Sequence, residues 1–206
     1  MVQNVHENRQ RLYEIADAQG GYFTAAQALA AGYAYSQQHF HRNSGAWLTV
    51  GRGLFRLRAY PDGDREDLIR WSLWSHNRAG VPQAVVSHES ALAVHGLSDV
   101  MPAQVHLTVP STFRKQVPPS CVLHQDHLEP DDWEERQGYR VTTPLRTLVD
   151  AAEDTLSQEH LDRAVQDALA LGLVQRQALA SVSCSVQARH RLDQAMQYAK
   201  MMQELS

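Results

Sequence analysis

Eleven histidines, two cysteines and a run of closely spaced arginines are the residues of this 206-residue chain with the most chemistry to offer. Cys121, His124, Asp126 and His127 fall within seven positions and are the donor types that hold zinc. Their spacing argues against a site. Alternation along a strand puts Cys121 and His124 on opposite faces, and no second Cys/His pair with finger spacing follows. His39 and His41, two apart on a helix, point to different faces. No metal or other cofactor is expected. Ser87-His88-Glu89 holds the residue types of a hydrolytic triad, but adjacent positions cannot converge as nucleophile, base and orienter. No GxSxG elbow surrounds the serine, so the run reads as a helix cap followed by a first-turn acid. The only lysines, Lys115 and Lys200, do not sit beside the paired carboxylates Asp131-Asp132 or Glu153-Asp154, and no phosphate-cradling glycine motif occurs. No catalytic residue emerges, and the chain is not expected to be an enzyme.

The arginines point elsewhere. Arg42, Arg52, Arg56 and Arg58 lie in a stretch, Ala18 to Tyr60, that contains no acid. The first sixty residues carry six arginines against Glu7, Glu14 and Asp17, whereas the rest carries thirteen basic and twenty acidic residues; the whole has a formal charge of -4. A basic first third joined to an acidic remainder points to two units with different partners, the first suited to phosphate backbones.

The elements that must position these arginines can be read from periodicity. Leu12, Ile15 and Ala16 set a helix over Asn8–Gln19, stopped by Gly20-Gly21. Tyr22-Phe23 is a short extended piece, and Thr24 caps a second helix over Ala25–Ala31. Ser36 caps a third over Gln37–Asn43, with Phe40 as its expected core anchor. Gln37, Gln38, His39, His41 and Arg42 then form a polar, acid-free exposed face, and Gln and Arg have the geometry to read adenine and guanine edges in a major groove. Two strands follow. Alternation puts Leu48, Val50, Phe55 and Leu57 on a buried face and Arg56 and Arg58 on the open one. Gly51-Arg52-Gly53 turns the hairpin and presents Arg52 at its tip. Three helices and an arginine-tipped hairpin predict a winged helix-turn-helix over residues 1–60 whose third helix enters the groove. The DNA-contacting residues expected are Ser36, Gln37, Gln38, His39, His41, Arg42, Arg52, Arg56 and Arg58.

Pro61-Asp62-Gly63-Asp64 marks a joint, and residues 64–206 form the second expected domain. A helix is predicted over Arg65–Asn77, another over His88–His95, strands at Gln104–Val109, Cys121–His124 and Tyr139–Thr142, and a helix opened by Thr143-Pro144. From about residue 152 the pattern is helical throughout, with Leu161, Ala164, Val165 and Ala168 as one inner stripe and Leu192, Ala195, Met196 and Ala199 as another. The fold class expected is α+β: a winged helix followed by a mixed α/β domain that ends in a helical bundle. No apolar run approaches the roughly 20 residues that span a bilayer, the amino-terminal residues lack a signal peptide's apolar core, and two cysteines fit a reducing cytoplasm.

Five stretches, "GGYFTAAQALAAG", "GRGLFRL", "VSHESALAVHGLSD", "VHLTVP" and "VTTPLRTLVD", occur here in the order in which they occur in the AbiEi antitoxin family. The chain resembles that family from about Arg11 to Ala152. The resemblance implies a bacterial antitoxin of a type IV toxin–antitoxin pair that binds inverted repeats in double-stranded operator DNA through its winged helix and so represses its own operon. It also implies a carboxy-terminal domain that opposes a cognate nucleotidyltransferase-like toxin. Carried over, Gln37, Gln38, His41 and Arg42 face the groove and Arg52 is the wing contact, while His88, Glu89, Ser90 and His95 are candidates for a partner surface. Two alternatives stand beside this: a DNA-targeted nuclease or other hydrolase with its site in the second domain, and a winged helix that docks proteins only.

Overall fold

In the computed structural model, which describes residues 2–205 and their side chains from residue 5, the chain divides into two compact units. Unit 1 runs to Ala84 and adds Glu135–Tyr139; unit 2 holds Val85–Glu134 and everything from Arg140. Met1 and Ser206, the outer limits of the two expected domains, lie outside the described residues. Among those residues no helix is long and apolar enough to cross a membrane.

Unit 1 strings together α1 (Val2–Asp17), β1 (Tyr22–Thr24), α2 (Ala25–Ala30), α3 (Tyr35–Asn43), β2 (Trp47–Gly51), β3 (Leu54–Leu57) and α4 (Glu66–Ser75). Gly20 and Gly21 end α1 at positive φ; a Cβ on Gly21 would sit 2.5 Å from the Tyr60 ring, so this position admits only glycine. The Thr24 hydroxyl accepts the Gln27 N–H while the Gln27 side chain accepts the Thr24 N–H, a reciprocal cap that starts α2. The strands form an antiparallel sheet in the order β1-β3-β2, with Phe23 opposite Phe55 and Trp47 opposite Leu57. One face closes on the helices around Leu12, Ala16, Phe23, Ala28, Ala31, Tyr33, Trp47 and Phe55.

The opposite face is covered too. Ile69 and Leu73 of α4 pack on Tyr22, with Val50, Leu54 and Tyr139 against them. This corrects the reading of the hairpin. Val50 does not share a face with Phe55 and Leu57, and Arg56 does not lie on an open face, because a fourth helix screens it from solvent. It also places Pro61–Asp64 inside unit 1, so the compact boundary falls at Ala84/Val85.

Unit 2 opens with β4 (Val85–Val86), α5 (His88–His95), β5 (Val105–Val109) and β6 (Cys121–Gln125). After a 3-10 turn come β7 (Trp133–Arg136) and β8 (Tyr139–Thr142), of which Glu135–Tyr139 count with unit 1, then α6 (Pro144–Glu153), α7 (Gln158–Ala170), α8 (Arg176–Ser181) and α9 (Val186–Glu204). The strands make a mixed sheet, β6-β5-β4-β8-β7, in which β5 runs parallel to β6 and antiparallel to β4. The expected Thr143-Pro144 start is present: Pro144 is the first helical residue and Thr143 accepts the Arg146 N–H. The helices bury one continuous core that includes Leu92, Leu148, Leu161, Val165, Leu179 and Leu192. Arg191 holds the chain after α6, donating to the carbonyls of Ala152 and Asp154, both at 2.7 Å, and to that of Leu156.

Candidate nucleic-acid interface

Helix α3 is rotated relative to the sequence reading. Gln38 is buried at 4% exposure, and its Nε2 donates to the Tyr33 carbonyl at 2.9 Å and the Ala25 carbonyl at 3.1 Å. It ties the loop between α2 and α3 and cannot face a groove. Phe40, two residues on, lies about 200° around the helix and is 65% exposed, so it is not the core anchor. Trp47 of β2 fills that place, edge-on to Phe23 at 4.8 Å and to Tyr33 at 5.1 Å. His41, on the same side of α3 as Gln38, stacks on Trp47 with 4.9 Å between centroids, and burial lowers its pKa. Ser36 does not cap the helix, because α3 already begins at Tyr35; instead the Gln37 Oε1 accepts the Ala34 N–H at 2.9 Å.

The exposed stripe of α3 is Ser36, His39, Phe40 and Asn43, at i, i+3, i+4 and i+7, flanked by Tyr35, Gln37 and Arg42. None is acidic. Asn43 Nδ2 lies 3.3 Å from His39 Nδ1, so these two polar side chains stand together. The sequence reading missed Tyr35, Phe40 and Asn43, and the signal was available. The Tyr33 carbonyl left by the short loop needs a donor, and Gln38 is the amide within reach; placing Gln38 inward turns Phe40 outward.

The arginines divide into two kinds. Arg52, in the β2–β3 turn beside Gly53 at φ +67, is exposed and makes no hydrogen bond or ion pair among the described residues. Arg42 is exposed, its Nε donating to Thr49 Oγ1 at 3.2 Å and its guanidinium 5.6 Å from the Phe55 centroid, which links α3 to β2. Arg58 is exposed and spends its Nε on the Gly45 carbonyl. Arg56 is a structural residue. It is 7% exposed, pairs with Asp62 at 2.8 Å and Glu66 at 3.0 Å, and lies 5.7 Å from the Tyr22 ring centroid. The Tyr22 hydroxyl donates to Glu66 at 2.6 Å. Burial, with that bond, pushes the hydroxyl up to about 12, and the same bond holds the Glu66 carboxyl below its usual range.

In unit 2 the residues expected to offer a partner surface turn inward. Ser90 is 1% exposed and its hydroxyl accepts the His106 N–H at 2.9 Å. His88 is buried, and His95, half-buried, donates from Nε2 to the Thr142 carbonyl at 2.7 Å. Only Glu89 is without such a bond, and it is half-buried. α5 packs against α6 and β5, and so His88 and Ser90 have little surface left to offer a partner. The group Cys121, His124, Asp126 and His127 is likewise not brought together. Cys121 is buried, its thiol pushed up to about 11 by burial; Asp126 pairs with Arg146; His127 is exposed beside Glu129 at 3.2 Å.

The fold is similar to that in the crystal structure of the RV2827C protein from Mycobacterium tuberculosis, with a TM-score of 0.55 over 93% of this chain and 77% of that one. At 15% identity the likeness is one of fold. No curated protein matches in sequence. A sequence model of the AbiEi antitoxin C-terminal domain matches residues 83–198, more than half of the chain and most of unit 2. The chain therefore belongs to the AbiEi antitoxin family, the antitoxins of toxin–antitoxin pairs, whose partner is a toxin.

Proposed function

We propose that this antitoxin belongs to a type IV pair, acts in the bacterial cytoplasm and represses its own operon. Unit 1 is read as a winged helix-turn-helix, with α3 as the recognition helix, the β2–β3 hairpin as the wing, and inverted repeats in double-stranded operator DNA as the ligand. Unit 2 is read as the part that opposes a nucleotidyltransferase-like toxin. The observation that carries the DNA reading is the acid-free exposed face of α3, flanked by the exposed guanidinium groups of Arg42 and Arg52, neither paired with an acid among the described residues, in a chain of net charge -4. In a protein that repels polyanions overall, an acid-free face that carries exposed arginines is the one suited to phosphates.

The residues proposed to contact DNA are Tyr35, Ser36, Gln37, His39, Phe40, Arg42 and Asn43 from the helix, with Arg52 and Arg58 from the hairpin. Phe40 offers an apolar face to thymine methyl groups or sugar, and Asn43 an amide for an adenine edge. Three exposed arginines imply about three phosphate contacts per chain and a slope of log K against log salt of about -2.7. Fluorescence anisotropy with the chain's own promoter fragment tests this. Tight, salt-dependent binding that a scrambled fragment of equal length does not reproduce is the expected result; equal binding of both fragments would leave only a nonspecific cation surface and defeat the repressor reading.

A further inference from the structure

Unit 2 gathers three imidazoles and a carboxylate that neither the DNA reading nor the helical core uses. His88 is the first residue of α5, His106 lies in β5, His124 in β6, and Asp154 follows α6. The parallel register pairs His106 with Val122 and Thr108 with His124, so His106, Thr108 and His124 share one face of the sheet. The rings of His88 and His124 stack at 3.5 Å and 13°, and donor atoms of His88, His124 and Asp154 all lie within 4.8 Å of one another. His88 is buried while His124 and Asp154 are half-buried, so the cluster opens to solvent on one side.

We propose that His88, His124 and Asp154 bind a divalent transition-metal ion of the zinc type. Two neutral imidazoles and a carboxylate are a zinc donor set, with a fourth position left for water. The supporting hydrogen bonds fit. His88 Nδ1 lies 2.9 Å from Ser87 Oγ, which also accepts from Thr108 Oγ1 at 2.8 Å; with Nδ1–H donating to the serine, the Nε2 lone pair is free for the ion. His106 Nδ1 lies 3.1 Å from His124 Nε2. With that Nε2–H donating to His106, His124 Nδ1 is left as a ligand. Asp154 accepts the Thr155 N–H at 2.7 Å through Oδ1, leaving Oδ2, and Arg191 fixes its backbone.

One further fact marks the cluster as more than packing. His88 holds φ +52, a left-handed backbone that costs a non-glycine residue energy and that a core aromatic has no reason to adopt. Tetrahedral ligation at about 2.0–2.2 Å brings donor atoms to roughly 3.3 Å apart, so the stacked rings must swing out of parallel as the ion enters.

The test uses the full chain, stripped with chelator and titrated with Zn2+ by calorimetry. One equivalent is expected to bind; Asp154→Asn, nearly isosteric, and His124→Ala should each weaken binding by about 100-fold, and His106→Ala by about 10-fold. His127→Ala, exposed and outside the cluster, should bind as the parent does. Co2+ in place of Zn2+ should give the intense visible absorption of a four-coordinate N/O site, a signature that packing alone does not produce. No binding by the parent, or Zn2+ binding that Asp154→Asn leaves unchanged in a chain with native circular dichroism, would overturn the proposal.

Discussion

Gln38 was expected in a DNA groove and lies in the core, so its replacement separates the two placements most sharply. Gln38→Ala removes the donor to the Tyr33 carbonyl, which no other described side chain replaces, and one of the donors to the Ala25 carbonyl. Leaving a buried acceptor unsatisfied costs about 1–3 kcal/mol, so a loss near 2 kcal/mol is expected. For a chain of this length that lowers the melting midpoint by about 4–8 °C. Urea unfolding followed by circular dichroism measures it. Gln38→Met keeps the volume without the donor and should be destabilised comparably, which isolates the hydrogen bonds from packing. At a temperature where both variants stay folded, promoter affinity and sequence preference should remain within about twofold of the parent, under 0.5 kcal/mol. A variant of unchanged stability with relaxed operator preference would refute the placement of Gln38 and with it the rotation of α3.

Other outcomes follow from the same geometry. Phe40→Ala removes a side chain 65% exposed, so stability should move by less than about 0.5 kcal/mol, while promoter binding in anisotropy weakens. Arg56→Met should cost about 2 kcal/mol in urea unfolding, less than for a wholly buried pair because Asp62 is 94% exposed, and should leave the salt slope of DNA binding unchanged. His88 titrates near 3 when folded against an ordinary 6.5. A depressed folded pKa gives stability that is present above about pH 6.5 and is lost as pH falls toward 3, at up to about 1.4 kcal/mol per pH unit. His88→Asn, which tolerates positive φ, should flatten that limb of a pH–stability curve measured with chelator present.

What could be read from the sequence was whatever local chemistry decides. Thr24 with Gln27, Thr143 before Pro144 and the alternation through Val105–Val109 each specify an element within a few residues, and each is present. Phase and cover are decided at a distance. Phe40 is the larger apolar residue of α3, yet the Tyr33 carbonyl drew Gln38 inward and sent Phe40 to solvent. Arg56 alternates as a surface residue should, but α4, ten residues further on, covers that face and supplies Glu66 as its partner. The histidine cluster was invisible for the same reason. His88, His106 and His124 are spaced far beyond any local motif; the parallel register of β5 and β6 brings His106 to His124, and the start of α5 stacks His88 on His124.

The central claim is that α3 and the hairpin turn carry DNA binding, and Arg52, exposed and free of partners among the described residues, tests it most directly. The measurement is the slope of log K against log salt for the promoter fragment, parent against Arg52→Ala. Loss of one phosphate contact should weaken binding to every sequence and shift the slope from about -2.7 to about -1.8. An Arg52→Ala chain that binds with the parent's affinity and slope at all salt concentrations would contradict the account.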